Sequence, residues 1–331
     1  MARDYADGLR IAIAAVRAAA RVCQAVQGSL VTPETIEKKD KSPVTVADFA
    51  SQAVVCAVLA EALGDVAVVG EEAADELRED GQAAVRDVVV EQVAAGLGRT
   101  VAAEQVLAWI DLGGAAGRGE RYWTLDPIDG TKGFLRGEQY AVALALIEGG
   151  QVVAGVLGCP NLPLDGDAGA TGTLVVASRG RGTRIVALDD EADDGRAVRV
   201  RADRTASSAR FCESVESGHT SHGESQQVAE RLGITAEPVR MDSQAKYATV
   251  ARGDASIYLR LPTRADYQEK IWDHAAGAIC VEEAGGRVTD VTGKPLDFSL
   301  GRTLRDNQGV IATSGAIHDE VVAAVRAVLG K

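Results

Sequence analysis

Aromatic side chains make up only 4% of the 331-residue chain, poor material for the stacking platforms of a sugar-binding cleft. Basic residues are also short. The 35 Lys and Arg face 48 Asp and Glu, a formal net charge of −13. Such a surface lacks the basic stripes that displace counterions from a nucleic-acid polymer, and so argues against one as a partner. The five cysteines, Cys23, Cys56, Cys159, Cys212 and Cys280, are odd in number and form no C-x-x-C pair. That pattern fits reduced core thiols, not a disulfide frame or a zinc site. No run approaches the ~20 uninterrupted apolar residues of a membrane helix. The apolar stretch 11–20 is broken by Arg17 and shows no cleavage-site pattern, and N-x-[ST] sequons are missing. The expectation is an intracellular protein, cytoplasmic by default, with no membrane partner. Arg3, Arg10, Arg17 and Arg21, with Asp4 and Asp7 between them, argue little for organelle import.

Several phosphate chemistries lack their signatures too. There is no G-x-x-x-x-G-K-[ST] loop, which excludes a P-loop NTPase. A cysteine phosphatase needs Cys and Arg five residues apart, and the nearest pair, Cys280 and Arg287, has six between. An aspartyl-phosphate enzyme needs D-x-D, whereas this chain has D-x-x-D at Asp126 and Asp129.

What is present is an ordinary globular balance, 46% hydrophobic and 25% charged, long enough for one large or two medium domains. Helical spacing predicts helices over 5–27, 45–63 and 84–96. A short apolar strand at 66–69 delivers Gly70-Glu71-Glu72, and a strand at 122–125 leads into Asp126. A hairpin over 138–148 and 151–158 turns at Gly149-Gly150, with further strands at 172–177 and 183–188. The acidic run 189–195 reads as a linker. Beyond it, strands near 209–213, 238–241, 255–260, 286–289 and 309–313 alternate with helices near 223–232, 243–252, 273–285 and 315–329. The fold class expected is α/β, with an α+β domain over 1–190 and an α/β domain over 191–331.

The informative segment is Leu125-Asp126-Pro127-Ile128-Asp129-Gly130-Thr131. Two carboxylates straddle a proline that fixes φ and removes a donor, so the sheet cannot simply continue. A glycine turn follows. Two anionic side chains, the Ile128 carbonyl and several amides at one strand end suit a hard cation such as Mg²⁺. A solvated turn is the plain alternative. Glu71 and Glu72 also read as surface charges, Asp273 in Trp272-Asp273-His274-Ala275-Ala276-Gly277 as a helix cap, and Asp48 as a first-turn carboxylate. Each is unremarkable alone; all four at element ends are less easily dismissed.

Asp126-Pro127-Ile128-Asp129-Gly130-Thr131, Gly70-Glu71-Glu72 and Trp272-Asp273-His274-Ala275-Ala276-Gly277 together resemble the lithium-sensitive, magnesium-dependent phosphatases of the inositol monophosphatase superfamily. Lys41-Ser42-Pro43-Val44-Thr45-Val46-Ala47-Asp48, Asp242-Ser243-Gln244-Ala245-Lys246-Tyr247 and Glu269-Lys270-Ile271-Trp272-Asp273 resemble its 3′(2′),5′-bisphosphate nucleotidase branch. The resemblance runs from the first helix to the last. It implies an alternating α/β/α/β/α sandwich and hydrolysis of the 3′-phosphate of adenosine 3′,5′-bisphosphate to AMP. The corresponding 5′-phosphosulfate would be a second substrate and inositol 1,4-bisphosphate a minor one. An inositol phosphate phosphatase is the alternative within the superfamily; a non-enzymatic cation-binding protein is a remote one.

Residue by residue, the resemblance implies that Glu71, Asp126 and the Ile128 carbonyl hold one Mg²⁺. Asp126 would bridge to a second completed by Asp129 and Asp273, with a third ion near Glu71 as an option. Li⁺, and by extension Na⁺, would inhibit. Asp48 and Thr131 would orient and deprotonate the attacking water, Thr131 and Asp273 also touching substrate. His219, Ser243, Lys246 and Arg260 would contact the nucleotide, with His222 as a rival to His219, and Glu72 would stand behind the ligands. A monomer is expected. Lys246 and Arg260, reading the phosphate that is not hydrolysed, would separate a nucleotide bisphosphate from a sugar monophosphate.

Overall fold

The computed structural model describes residues 5–32, 42–165, 171–191, 194–215, 222–262, 264 and 266–331, the side chain of His222 apart. Helix α1 (Ala6–Leu30) buries the stripe Ala12, Val16, Ala19, Cys23 and Val26, spaced at the helical period. Arg17, which breaks the apolar run in sequence, is buried and donates to three carbonyls: Nε to Leu188 (2.8 Å), Nη2 to Ala187 (3.3 Å) and to Asp190 (3.1 Å). It ties the first helix to the start of the acidic run. Helix α2 (Ser42–Leu63) is buried nearly all round. By length and composition it could cross a membrane, yet here it packs inside the protein against α1, α3 (Ala83–Leu97), α4 (Ala103–Asp111) and the strand that carries Asp126.

Those helices cover one face of a seven-stranded sheet in sequential order. Its strands are β1 (Val68–Gly70), β2 (Arg121–Asp129), β3 (Ala141–Glu148), β4 (Gln151–Pro163), β5 (Thr171–Ser178), β6 (Gly182–Ala187) and β7 (Arg196–Val198). β1 runs parallel to β2, and every other neighbouring pair is antiparallel. The expected hairpin and the strands after it fall in place. The expected division at residues 190 and 191 lies inside this sheet, because β7 pairs with β6 beyond the acidic run. A second sheet of five strands has the order β11-β12-β10-β8-β9, from β8 (Phe211–Glu213), β9 (Val239–Arg240), β10 (Ile257–Arg260), β11 (Arg287–Thr289) and β12 (Val310–Thr313). It is mixed: β8 pairs in parallel with β9 and β10, while β12 is antiparallel to β10 and β11.

With α5 (Thr131–Arg136) at the end of β2, the helices of the second half are α6 (His222–Leu232), α7 (Ala245–Ala251), α8 (Ala275–Glu283) and α9 (His318–Leu329). α7 and α8 lie between the two sheets, and α6 packs with α9 on the outer face of the second. The layers are therefore helix, sheet, helix, sheet, helix, and three apolar clusters fill the spaces between them. All five cysteines are buried free thiols, and Cys23, Cys56, Cys159 and Cys280 lie within these clusters.

β4 shows how closely the layers approach. A Cβ on Gly155 would stand 2.5 Å from Ile279 Cγ2 and 3.1 Å from the Ala276 carbonyl of α8, and one on Gly158 would stand 2.6 Å from Val16 Cγ1 of α1. The glycines point to opposite faces, as their odd spacing requires, and each admits a helix. Gly155→Ala should lower the urea midpoint by the equivalent of about 1–3 kcal/mol, because nothing but packed backbone and a branched side chain can yield. In an Ile279→Ala background, which lacks the crowding Cγ2 methyl, the same substitution should cost less.

Candidate active site

The site forms where β1 and β2 end side by side. Their parallel register pairs Gly70 with Leu125, which carries Glu71 level with Asp126 although 55 residues separate them. β2 does not stop at Leu125, as its sequence suggests, but continues through Asp129. The ladder shows what proline does instead. Asp126 pairs with Ala143 and Asp129 with Ala141, so β2 carries one residue too many and passes over Pro127 and Ile128 as a bulge. Ser51 of α2 donates to the Pro127 carbonyl at 2.9 Å. Gly130 then turns the chain at φ +89°, a value that glycine adopts without cost, and Thr131 opens α5.

Three side chains, buried Gln52 and Gln244 and half-buried Arg302, fix the other pieces. Gln52 of α2 donates to the Glu72 carbonyl (2.7 Å) and the Ile110 carbonyl (2.8 Å) and accepts from the Glu72 amide (3.1 Å), clamping the loop after β1. Arg302 lies 4.8 Å over the Trp272 ring and donates to the carbonyls of Gly70, Gly113 and Ala115. Gln244 joins the halves. Its amide donates to Asp129 Oδ2 (2.5 Å), its side chain donates to the Trp272 carbonyl (2.9 Å), and it accepts from the Gly277 amide (3.1 Å). The fit is tight enough that a Cβ on Gly130 would lie 2.8 Å from Ser243 Cβ. Ser243 itself is held at φ 66°, which is uncommon for a residue with a side chain.

These clamps surround an open cavity of about 280 Å³. Its wall carries Glu71, Asp126, Asp129 and Asp273 together with Lys132, Lys246 and Arg260. Ile128, Thr131 and Ser243 also line it. Asp48 lies behind the lining, buried at 8% exposure. No hydrogen bond joins it to Thr131. His219 falls outside the described residues. His222 opens α6, but its side chain is outside them as well. The capping roles do not hold: α2 begins at Ser42, six residues before Asp48, and His274, not Asp273, occupies the cap position of α8.

Electrostatically the carboxylates are frustrated. Burial, then Glu71, Asp129, Asp273 and Asp48, push the Asp126 carboxyl well above its usual range. Burial, with Glu72 and Glu71, does the same to Asp48. Burial, Glu72 and Asp129 push Glu71 to about 7. Asp273 also reaches about 7, through burial and its neighbours Asp129 and Glu71, although Arg260 and His274 pull it down. Asp126 Oδ1 and Asp48 Oδ1 are buried with no hydrogen-bond partner, a costly state unless a cation is the missing partner. An all-oxygen, strongly anionic set of this kind fits a hard divalent ion.

Glu269, Asp273 and His274 also present ligand atoms within 4.8 Å of one another. Glu269 and His274 are committed elsewhere. Arg260 Nε lies 2.7 Å from Glu269 Oε2, and His274 Nε2 meets the same oxygen at 3.1 Å while its Nδ1 meets the Tyr247 hydroxyl at 2.8 Å. Burial would raise the Glu269 carboxyl, but His274 and Arg260 bring it down to about 2. Lys246 is 4% exposed. Its ammonium sits 5.2 Å over the Tyr258 ring, and among the described residues it has no ion pair. Burial lowers its pKa, with Asp129 opposing.

Gln52, Gln244, Glu269 and Arg302 are not among the residues singled out from sequence. Gln52 carried a signal, a lone amide inside an apolar helix. Arg302 carried none, since its targets are carbonyls almost 200 residues away.

The model of the inositol monophosphatase family matches residues 7–329. The 3′(2′),5′-bisphosphate nucleotidase of Schizosaccharomyces pombe is 46% identical over 337 residues, covering 97% of this chain and 96% of that protein. The 3′(2′),5′-bisphosphate nucleotidase of Oryza sativa is 44% identical over 344 residues, covering 97% and 94%. Among solved structures, inositol monophosphatase from Anabaena aligns with a TM-score of 0.63 at 21% identity, covering 97% of this chain and 95% of that one. CysQ from Bacteroides thetaiotaomicron aligns at 0.62 and 21%, covering 92% and 96%. At such identities these two show the shared fold.

The charge frustration has a measurable sign. An unfolded aspartate ionises near pH 3.9, whereas folded Asp126 keeps its proton to much higher pH. The stability it contributes is thus full below about pH 4 and is lost as pH rises. Asn carries no such penalty. In chelator-treated protein, Asp126→Asn should raise the melting temperature at pH 8 by several degrees and hardly at all near pH 4.5. A gain equal at both pH values would contradict the electrostatic account.

Proposed function

The chain belongs to the inositol monophosphatase family, and we propose that it removes the 3′-phosphate of adenosine 3′,5′-bisphosphate, releasing AMP and inorganic phosphate. It is a phosphatase of the bisphosphate nucleotidase type. The observation that carries the reading is that one cavity holds two anion-handling regions. The carboxylates Glu71, Asp126, Asp129 and Asp273 face the same space as Lys246 and Arg260. A monophosphate needs only the first; a bisphosphate uses both. The extended similarity to curated bisphosphate nucleotidases supports the same substrate class.

The family is generally metal-dependent, and the residues present fit divalent ions. Glu71, Asp126, Asp129, Asp273 and the Ile128 carbonyl would hold two Mg²⁺, with Asp126 shared. When bound, such ions lower the pKa of water, screen the phosphoryl oxygens and stabilise the leaving alkoxide. The protein does the rest. The Asp48 carboxylate, with one oxygen free of partners, and the Thr131 hydroxyl orient the attacking water and receive its proton. Water oxygen bonds to phosphorus as the phosphorus–O3′ bond breaks, and O3′ leaves with a proton as AMP. Ser243 and Lys246 hold the nucleotide, and Lys246 with Arg260 grips the 5′-phosphate through charge-assisted bonds. The 5′-phosphosulfate fits the same grip. Li⁺ would inhibit by taking the place of the second Mg²⁺.

The test is side-by-side turnover of adenosine 3′,5′-bisphosphate, its phosphosulfate and inositol 1-phosphate with Mg²⁺. Lys246→Met keeps the buried stem and removes the charge. It should lower kcat/KM for the bisphosphate about 10–100-fold, the worth of one charge-assisted contact, and leave inositol 1-phosphate nearly unchanged. Equal losses on both would sink the substrate assignment. Asp129→Asn, which keeps an acceptor for the Gln244 amide, should reduce turnover to background in a protein that still melts cooperatively.

A further inference from the structure

Arg260 has two carboxylates within reach, and they compete for it. Its Nε lies 2.7 Å from Glu269 Oε2 and its Nη2 lies 3.6 Å from Asp273 Oδ2. All three side chains are largely buried, at 17%, 5% and 18% exposure for Arg260, Glu269 and Asp273, so the attraction is poorly screened. Glu269 is in turn held by the His274 ring, whose far nitrogen is held by Tyr247. Tyr247 is fixed by packing, since a Cβ on Gly277 would fall 2.3 Å from its ring. The chain Tyr247–His274–Glu269–Arg260 is therefore a rigid strut that begins in the layer between the sheets and ends at the cavity wall. Tyr267 steadies the far end, its hydroxyl 3.5 Å from Arg260 Nη2.

We infer that Glu269 is a positioning residue that keeps the Arg260 guanidinium off Asp273. By holding the Nε edge at 2.7 Å, it limits the Asp273 contact to a long ion pair of 3.6 Å, so that the Nη groups remain available to the second phosphate and the Asp273 carboxylate to a cation. Without the Glu269 charge, the guanidinium turns to Asp273, the one other carboxylate within reach among the described residues. Both functions of the site then suffer together: the arginine is spent and the metal-binding carboxylate is neutralised. Glu269 touches neither substrate nor cation. It acts wholly through Arg260, which gives the idea a sharp test. This inference rests on the bisphosphate reading for its substrate arm and on the geometry alone for its cation arm.

The experiment is a double-mutant cycle on the full chain with Glu269→Gln, Arg260→Ala and the pair, read by Mg²⁺ binding in calorimetry and by steady-state kinetics. Glu269→Gln should weaken Mg²⁺ binding at least about 5-fold, and the double variant should recover affinity to the level of Arg260→Ala alone. In kinetics, Glu269→Gln should raise KM for adenosine 3′,5′-bisphosphate about 10-fold and leave inositol 1-phosphate KM far less changed. In the Arg260→Ala background it should have no further effect on either. Weakened Mg²⁺ binding that Arg260→Ala does not relieve would overturn the inference, as would unchanged binding in Glu269→Gln. If Glu269→Gln does not fold, Glu269→Asp, which keeps the charge on a shorter arm, should show the same pattern at smaller size, and wild-type values would overturn it. Wild-type protein that fails to turn over the bisphosphate would refute the substrate reading while leaving the Mg²⁺ cycle to decide the role of Glu269.

Discussion

Carboxylates crowd the ends of two parallel strands, buried and mutually repelling, and a fold does not tolerate that arrangement without a partner of opposite charge. Asp126 stands at the centre. It is almost fully buried, Glu71, Asp129 and Asp273 repel it, and one of its oxygens has no partner. Much of the surrounding structure serves to keep these groups together. The parallel register of β1 and β2 levels Glu71 with Asp126, the Pro127 bulge turns the chain toward Gly130, and Gln52 and Arg302 stop the loop after Gly70 from relaxing. Preorganisation of this sort costs stability in the metal-free protein and is recovered when the cation binds.

The two halves meet at this same point. Asp273 comes from the second half, and Gln244 stitches it in place by touching Asp129, Trp272 and the Gly277 amide at once. Arg136 and Asp242 add an ion pair across the seam. Binding, orientation and layer packing are thus one problem: the glycines that let the layers close, at 130, 155 and 277, are the ones that let the carboxylates converge. The cationic residues of the same cavity are restrained by different means. Lys246 rests over an aromatic face, and Arg260 is held by Glu269. Arg260 thus meets the carboxylate cluster only through its long 3.6 Å contact with Asp273.

Much of this was legible in the sequence because the site is built from contiguous motifs. The segment from Asp126 to Thr131 and that from Trp272 to Gly277 each carry their chemistry within six residues, and the resemblance they bear covers nearly the whole chain. Most strands and helices followed from periodicity. What was not legible was long-range. A bulge keeps β2 going through Pro127, where local reasoning ends the strand. β7 crosses the acidic run because pairing with β6 outweighs composition. Gln52, Gln244 and Arg302 act on backbone atoms of distant segments, and no local spacing encodes a carbonyl. Glu269 looked like one more acidic residue in a motif until its two partners, Arg260 and His274, were seen on the same oxygen.

The net charge of −13 takes on a different meaning in this setting. Part of it is a carboxylate cluster that, on the proposed reading, recruits the cations that then carry a doubly phosphorylated nucleotide. Calorimetry of Mg²⁺ binding near pH 7, repeated in buffers of differing ionisation enthalpy, tests this most directly, since it counts protons displaced by the ion. With Glu71 and Asp273 both pushed to about 7, binding should release protons near that pH and progressively fewer toward about pH 9. Mg²⁺ binding that releases no protons at any pH in that range would contradict the account.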